Sequence, residues 1–249
     1  MNIIVCIKRV PSTTTAIKVA DDGVSIDGSG VEYELNTYDE FAVEQALQTK
    51  EAVGEGEVTV VTLGTSDAIK ELRDCLARGA DKAVLLKHEG RSDAFATAEM
   101  LAAWLGTQNP DVIFMGKQAV DSDNSQVPQR VATILGFGCV SEVKSLSFAD
   151  GMFTAERDIE GGREIVQCKT PALISTSKGL NEPRYANLKG IMKAKKKPLE
   201  EVDATASESA ISVVSLELPP PRAAGRIVGE GVDAVGALLD ALKNEAKIL

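Results

Sequence analysis

Short apolar runs and segments of helical period alternate along the first 143 residues, and that alternation restricts the fold more than any other feature. The runs are "NIIVCIK" (2–8), "EVTVVTLG" (57–64), "KAVLLKH" (82–88), "PDVIFMG" (110–116) and "GCVSEV" (138–143). Each has the length and composition of a strand buried on both faces. Between them, 36–52 places Ala42, Val43, Ala46 and Leu47 on one helical face, with Asp39 and Glu40 in the first turn. Segment 66–80 predicts a helix with Ser66 as candidate N-cap and Gly79 as stop. Segment 93–108 predicts another helix, and 123–137 a loop leading into a fourth. Strands alternating with helices mean βαβ units. The expected fold is therefore α/β, an open, mostly parallel sheet with helices on both faces.

The pattern changes after residue 143. "VKSLSFA", "MFTAERDI", "REIVQC" and "PALISTS" are strand-like pieces separated by DG and GG turns, and predict a small antiparallel extension of the sheet. "LEEVDATASESA" (199–210) reads as a polar spacer. Beyond it come an extended segment and a terminal helix with Val235, Leu238, Leu239 and Leu242 in an apolar stripe. The expected organisation is an α/β domain over 1–180, a basic segment over 181–198, and a C-terminal arm over 199–249. The arm's stripe must be covered by its own core or by a partner.

Composition narrows the function classes. His88 is the only histidine, so a Ser-His-Asp triad or a multi-histidine metal site lacks its parts. No nucleophile and base can be paired, and neither an independent catalytic centre nor a metal site is expected. Cys6, Cys75, Cys139 and Cys168 are far apart without a CxxC, the pattern of reduced cytoplasmic thiols. The opening residues lack a secretory leader, and no run approaches the roughly 18 apolar residues of a membrane span. A cytoplasmic location without membrane insertion is the expectation. A net charge of −10 argues against general nucleic-acid binding.

Ligands of open α/β sheets lie at the carboxyl ends of the strands. There the sequence offers "GKQAVDSDNSQVP" (116–128), opening a helix: Gly116 to let a ligand approach the backbone, and amides near Asn124 to Val127 to cradle a phosphate. Asp121 and Asp123 would repel a phosphate and suit capping or holding the loop. An ordinary polar loop fits the spacing equally well. Asn36 to Asp39 sit before the first helix, where Asn36 suits a cap or the reading of an adenine or ribose edge. Neither standard phosphate fingerprint is present.

"NEPRYANLKGIMKAKKKP" (181–198) runs against the acidic whole. Arg184, Lys189, Lys193, Lys195, Lys196 and Lys197 face one acid, Glu182; six minus one is +5. A solvated helix end explains most such runs. RNA binding would need interleaved aromatics, and Tyr185 is alone.

"VCIKRVP", "LNTYDEFAVEQAL", "CLARGADKAVLL", "GKQAVDSDNSQ", "ERDIEGG" and above all 181–198 resemble the beta, or small, subunit of electron-transfer flavoprotein, along nearly the whole chain. The resemblance implies a heterodimer with a larger alpha subunit that holds the redox-active FAD. It implies AMP, without redox role, in this subunit, at Cys6, Asn36, Thr37, Tyr38, Asp39, Leu63, and the run Gly116, Lys117, Gln118, Ala119, Val120, Asp121, Ser122, Asp123, Asn124, Ser125, Gln126 and Val127. Electron-bifurcating members carry a second FAD instead, with a glycine-bearing turn near the position of Pro128. Proline donates no amide and fixes φ, which favours AMP. "PSTTTAIK" replaces an aromatic-containing segment that lies near the flavin in common members, which puts that flavin contact in doubt. A stand-alone nucleotide-binding stress or sensor module is the alternative from another class.

The same resemblance makes 185–193 a recognition loop for flavin-containing dehydrogenases, with Leu188 as anchor and Tyr185, Ile191, Met192, Lys193 and Lys196 around it. Electrons would pass on to a quinone reductase or other acceptor. Lys193 and Lys196 match lysines that some members methylate. Burying one exposed leucine yields roughly 1.5–3 kcal/mol, suited to transient docking. Lysines around it would steer toward an acidic surface.

Overall fold

The computed structural model describes residues 1–222 and 224–249. In chain order the elements are β1 (Asn2–Cys6), β2 (Arg9–Pro11), β3 (Tyr33–Leu35), α1 (Thr37–Val53), β4 (Glu57–Gly64), α2 (Ile69–Arg78), β5 (Lys82–Lys87) and α3 (Ala94–Gln108). β6 (Val112–Gly116), α4 (Val127–Leu135), β7 (Gly138–Ala149), β8 (Met152–Ile159), β9 (Gly162–Lys169) and β10 (Ala172–Thr176) follow. α5 (Leu188–Ala194), β11 (Leu199–Asp203) and α6 (Val235–Asp240) complete the chain.

Nine strands form one sheet in the order β11-β5-β4-β1-β6-β10-β7-β8-β9, and β2 and β3 pair separately. Pairing is parallel from β11 to β7 and antiparallel from β7 through β9. Strand residues alternate between two cores, as a two-residue period requires. Ile3 and Val5 point to the core shared with α1 and α2, while Ile4 and Cys6 point to the core shared with α3 and α4. The α/β expectation, helices on both faces included, is met.

Several local expectations are corrected. "PALISTS" does not join the antiparallel extension: β10 lies inside the parallel sheet, between β6 and β7. "GCVSEV" and "VKSLSFA" form one strand, β7, which pairs in parallel with β10 and in antiparallel with β8. Residues 199–203, expected as spacer, form β11 and pair with β5 along five residues, Leu199↔Ala83 to Asp203↔Lys87. Ser66 opens a 3-10 turn (Ser66–Ala68), and Ala68 occupies the N-cap position of α2. Gly79 ends α2 at φ 144, as its freedom from a Cβ allows. The four cysteines are free thiols. Among the described residues no helix is long and apolar enough to cross a membrane.

The arm leaves the core after β11. Asp93 caps α3 by accepting from Ala96 N at 2.8 Å through Oδ1, and through Oδ2 accepts the Ala210 and Ile211 amides at 2.7 and 3.0 Å. Beyond that point most of the described large apolar residues stay open: Ile227 is 84% exposed, and Val235, Leu238 and Leu239 are about half exposed, while Leu216 and Leu242 are partly covered. The stripe is not covered by the chain's own core.

Candidate functional site

The chain runs from β1 outward to β4 and β5, then returns across β1 to β6. The carboxyl ends of β1 and β6 therefore flank a topological switch point, where loops diverge and leave a crevice. Cys6 and Gly116 end these two strands, Leu63 lies at the end of neighbouring β4, and the first turn of α1 enters between. The sequence-predicted residues of 6, 36–39, 63 and 116–127 thus meet at one end of the sheet.

Asp39 joins the two strand ends. Its Oδ2 accepts from Lys8 N at 2.7 Å and its Oδ1 from Gly116 N at 3.0 Å. Burial pushes its carboxyl up to about 7, against the opposing pull of hydrogen bonds from Asn36, Lys8 and Gly116 and of the Lys8 charge. Burial also raises the Cys6 thiol, with the Asp39 charge adding to it, so Cys6 stays neutral.

Two expected roles change. Asn36 stands at the N-cap position of α1 but makes no side-chain cap. Its amide instead holds the loop across the crevice, donating to Gln118 O at 2.9 Å and accepting from Val120 N at 3.1 Å. Only 1% of it is exposed, so its side chain is a staple and not a free edge reader. Gly116 admits the chain itself: a Cβ there would lie 2.8 Å from Tyr38 Cβ and would collide with Asp39 Oδ1. Thr176, unremarked in the sequence, donates to Tyr38 O at 3.0 Å and fixes the same turn.

The loop holds itself in shape. Gln118 donates to Asp123 Oδ1 at 2.6 Å and accepts from Ser125 Oγ at 2.8 Å. Lys8 pairs with Asp121 at 2.7 Å. Both aspartates hold the loop, as expected. Lys117 pairs with Glu142 and lies 5.5 Å from the Tyr38 ring centre. Asp123 and Ser125 both take positive φ, 47° and 50°, unusual for residues with a Cβ. Among the described residues the Asn124 and Ser125 amides find no acceptor. Such successive free amides at a helix start are a concavity for an anion. Pro128 lies in the first turn of α4 and adds no donor.

The basic segment divides into two sets. Arg184 is internal: its guanidinium meets Glu44 at 2.8 and 2.9 Å and Glu51 at 2.7 Å, both on α1. Asn181 donates to Phe41 O on the same helix at 3.0 Å. Lys197 also turns inward, to carbonyls at the end of α2. Lys189, Lys193, Lys195 and Lys196 are exposed and make no ion pair among the described residues. Beside them Tyr185 is 90%, Leu188 78% and Met192 58% exposed, with Ile191 half-exposed. The sequence alone does not separate inward from outward cations, because their partners lie over 100 residues away.

Fold and site define a doubly wound α/β protein with a loop held over the strand ends at its switch point and a distinct apolar-tipped basic surface. The model of the electron transfer flavoprotein domain matches residues 24–207. The chain is 37% identical over 249 residues to an electron transfer flavoprotein subunit beta of Syntrophomonas wolfei, covering all of this chain and 98% of that one. It is 38% identical to the Bradyrhizobium diazoefficiens subunit beta, with both chains fully covered, and 35% identical to that of Mus musculus, covering 94% and 95%. The chain belongs to the electron transfer flavoprotein family, and its relatives are the beta subunits.

Proposed function

We propose that this chain is the beta half of a heterodimeric electron carrier. It binds AMP in the switch-point crevice, packs its C-terminal arm on an alpha subunit, and docks flavin-containing dehydrogenases through Leu188 and its neighbours. FAD on the alpha subunit supplies the redox chemistry. The chain's own residues position, bind and recognise. A site in the cytoplasm and delivery to a quinone reductase or similar acceptor complete the reading.

The observation that carries it is the exposed Leu188–Met192 surface ringed by four lysines that make no ion pair among the described residues, on a chain of net charge −10. A small exposed apolar patch within a steering field suits brief, repeated encounters. For the nucleotide, the Asn124 and Ser125 amides, without an acceptor among the described residues, fit a single phosphate, and Asn36 holds their loop over the strand ends beside Tyr38 and Leu63. Pro128 removes a donor that a diphosphate would use in the first turn of α4.

The test is co-expression with the alpha subunit, acid release of bound nucleotides and their chromatography. One FAD and one AMP per heterodimer is the expected inventory. Two FAD would replace this reading with the bifurcating one. A stable homodimer without flavin partner would point to a sensor module.

A further inference from the structure

A seven-residue helix does not hold itself in water, since nucleation is costly and its ends leave backbone groups unpaired. α5 nevertheless carries Leu188, Ile191 and Met192 at an exposed surface. Its amino end is closed by Asn187, which accepts from Gly190 N at 2.8 Å. Its carboxyl end is closed from outside. Arg73, on α2, donates from Nη1 to Ala194 O at 2.7 Å and to Lys197 O at 2.9 Å. The exchange is mutual: Lys197, just past α5, donates from Nζ to Leu76 O, Gly79 O and Ala80 O at the end of α2, at 3.0, 3.3 and 2.5 Å. Each helix thus supplies the cation that caps the other's carboxyl end, where unpaired carbonyls and the helix dipole favour positive charge. Between the two caps Gly190 rests on Ala77 O, where a Cβ would collide, and Ala194 is buried in the core.

We propose that Arg73 and Lys197 form a reciprocal cap that pre-organises α5, and so set docking strength without touching the docked protein. The proposal rests on the docking role given above to Leu188. Ordering an exposed segment before encounter removes that cost from binding. Arg73 and Lys197 are positioning residues; Lys197, the fourth lysine of a run, belongs to the scaffold and not to the steering field.

The experiment uses the intact heterodimer and, as probe, the flavin dehydrogenase of the source cells that reduces it. Arg73→Met, Lys197→Met, Arg73→Lys and Leu188→Ala are compared with the parent chain. Arg73→Met and Lys197→Met should speed hydrogen exchange at amides 190–196 and leave that of β1 and β6 unchanged. They should raise KM for the dehydrogenase about tenfold with kcat held, equivalent to about 1.4 kcal/mol of lost pre-organisation. Reduction by dithionite, which needs no docking, should not change. Arg73→Lys, which keeps the charge on a shorter side chain without the planar fork, should fall between. Parental exchange and KM in Arg73→Met, beside a raised KM in Leu188→Ala, overturn the cap proposal alone. Parental KM in Leu188→Ala overturns the docking reading and the role of the cap in it. If Lys197→Met loses solubility, Arg73→Met decides, because its hydrogen bonds among the described residues go only to the end of α5.

Discussion

Glu44 and Glu51 are about two turns apart on α1, and a single arginine, Arg184, closes on both. Burial alone would raise the Glu44 carboxyl; hydrogen bonds and charge from Arg184, with Gln48, overcome it and hold it below its usual 4.5. Arg184 also holds Glu51 low. A depressed folded-state value means stability that is present above about 4.5 and lost as pH falls through the folded values. Arg184→Met should therefore cost about 2 kcal/mol at pH 7, less than a fully buried pair because the arginine side chain is 35% exposed. The gap between parent and variant should narrow as pH falls below about 4.5; urea melts at pH 7 and pH 3 measure it, and a gap independent of pH would remove the ionic account. Gly116→Ala acts by volume. The added methyl meets Tyr38 and Asp39, and overpacking of this kind costs about 1–3 kcal/mol. A lower denaturation midpoint with weaker AMP retention is the expected outcome, and parental values for both would show that the α1 turn can move aside.

Among the elements, β11 and the arm invite a paired truncation. A chain ending at residue 205 keeps β11 on the β5 edge and discards the open apolar residues of the arm. Made without the alpha subunit, it should be more soluble than the full chain and unable to join that subunit. A chain ending at 198 bares the β5 edge, a row of unpaired amides and carbonyls, and should aggregate. Light scattering and pull-down separate the two, and equal behaviour would deny β11 its protecting role. The same strand shows why part of the fold was hidden. β1, β4, β5 and β6 were legible because buried strands are short apolar runs with few alternatives. β11 carries Glu200, Glu201 and Asp203, the charges an edge tolerates and a propensity reading takes for a loop. β10 was legible as a strand but not in its place, since local pattern does not say which neighbour a strand joins. That residues 36–39 and 116–127 gather at the strand ends follows from the strand pattern, but the contacts of Asn36 and Gly116 do not, because they span 77 to 84 residues of chain.

At the scale of the molecule, charge is unevenly distributed: a chain of net −10 presents four lysines on one projecting surface. Lys196→Glu should slow dehydrogenase association several-fold at low salt and much less near 0.5 M, where the Debye length has shrunk to about 4 Å. Stopped-flow reduction at the two ionic strengths checks this, and a loss equal at both would mean a contact and not steering. The arm bears on assembly in another way. Its root is fixed at Asp93, by the carboxylate that also caps α3, and the Leu216 amide donates to Gly23 O at 2.8 Å, while further on Ile227, Val232, Val235, Leu238 and Leu239 stay open. Such an arm is a leash with a fixed post. A subunit gripping its far end stays within reach of the core when their other contacts part, at an effective concentration of about millimolar. Separation and re-contact then become motions within one particle, independent of dilution, and the anchorage at Asp93 and Gly23 must be as firm as the grip.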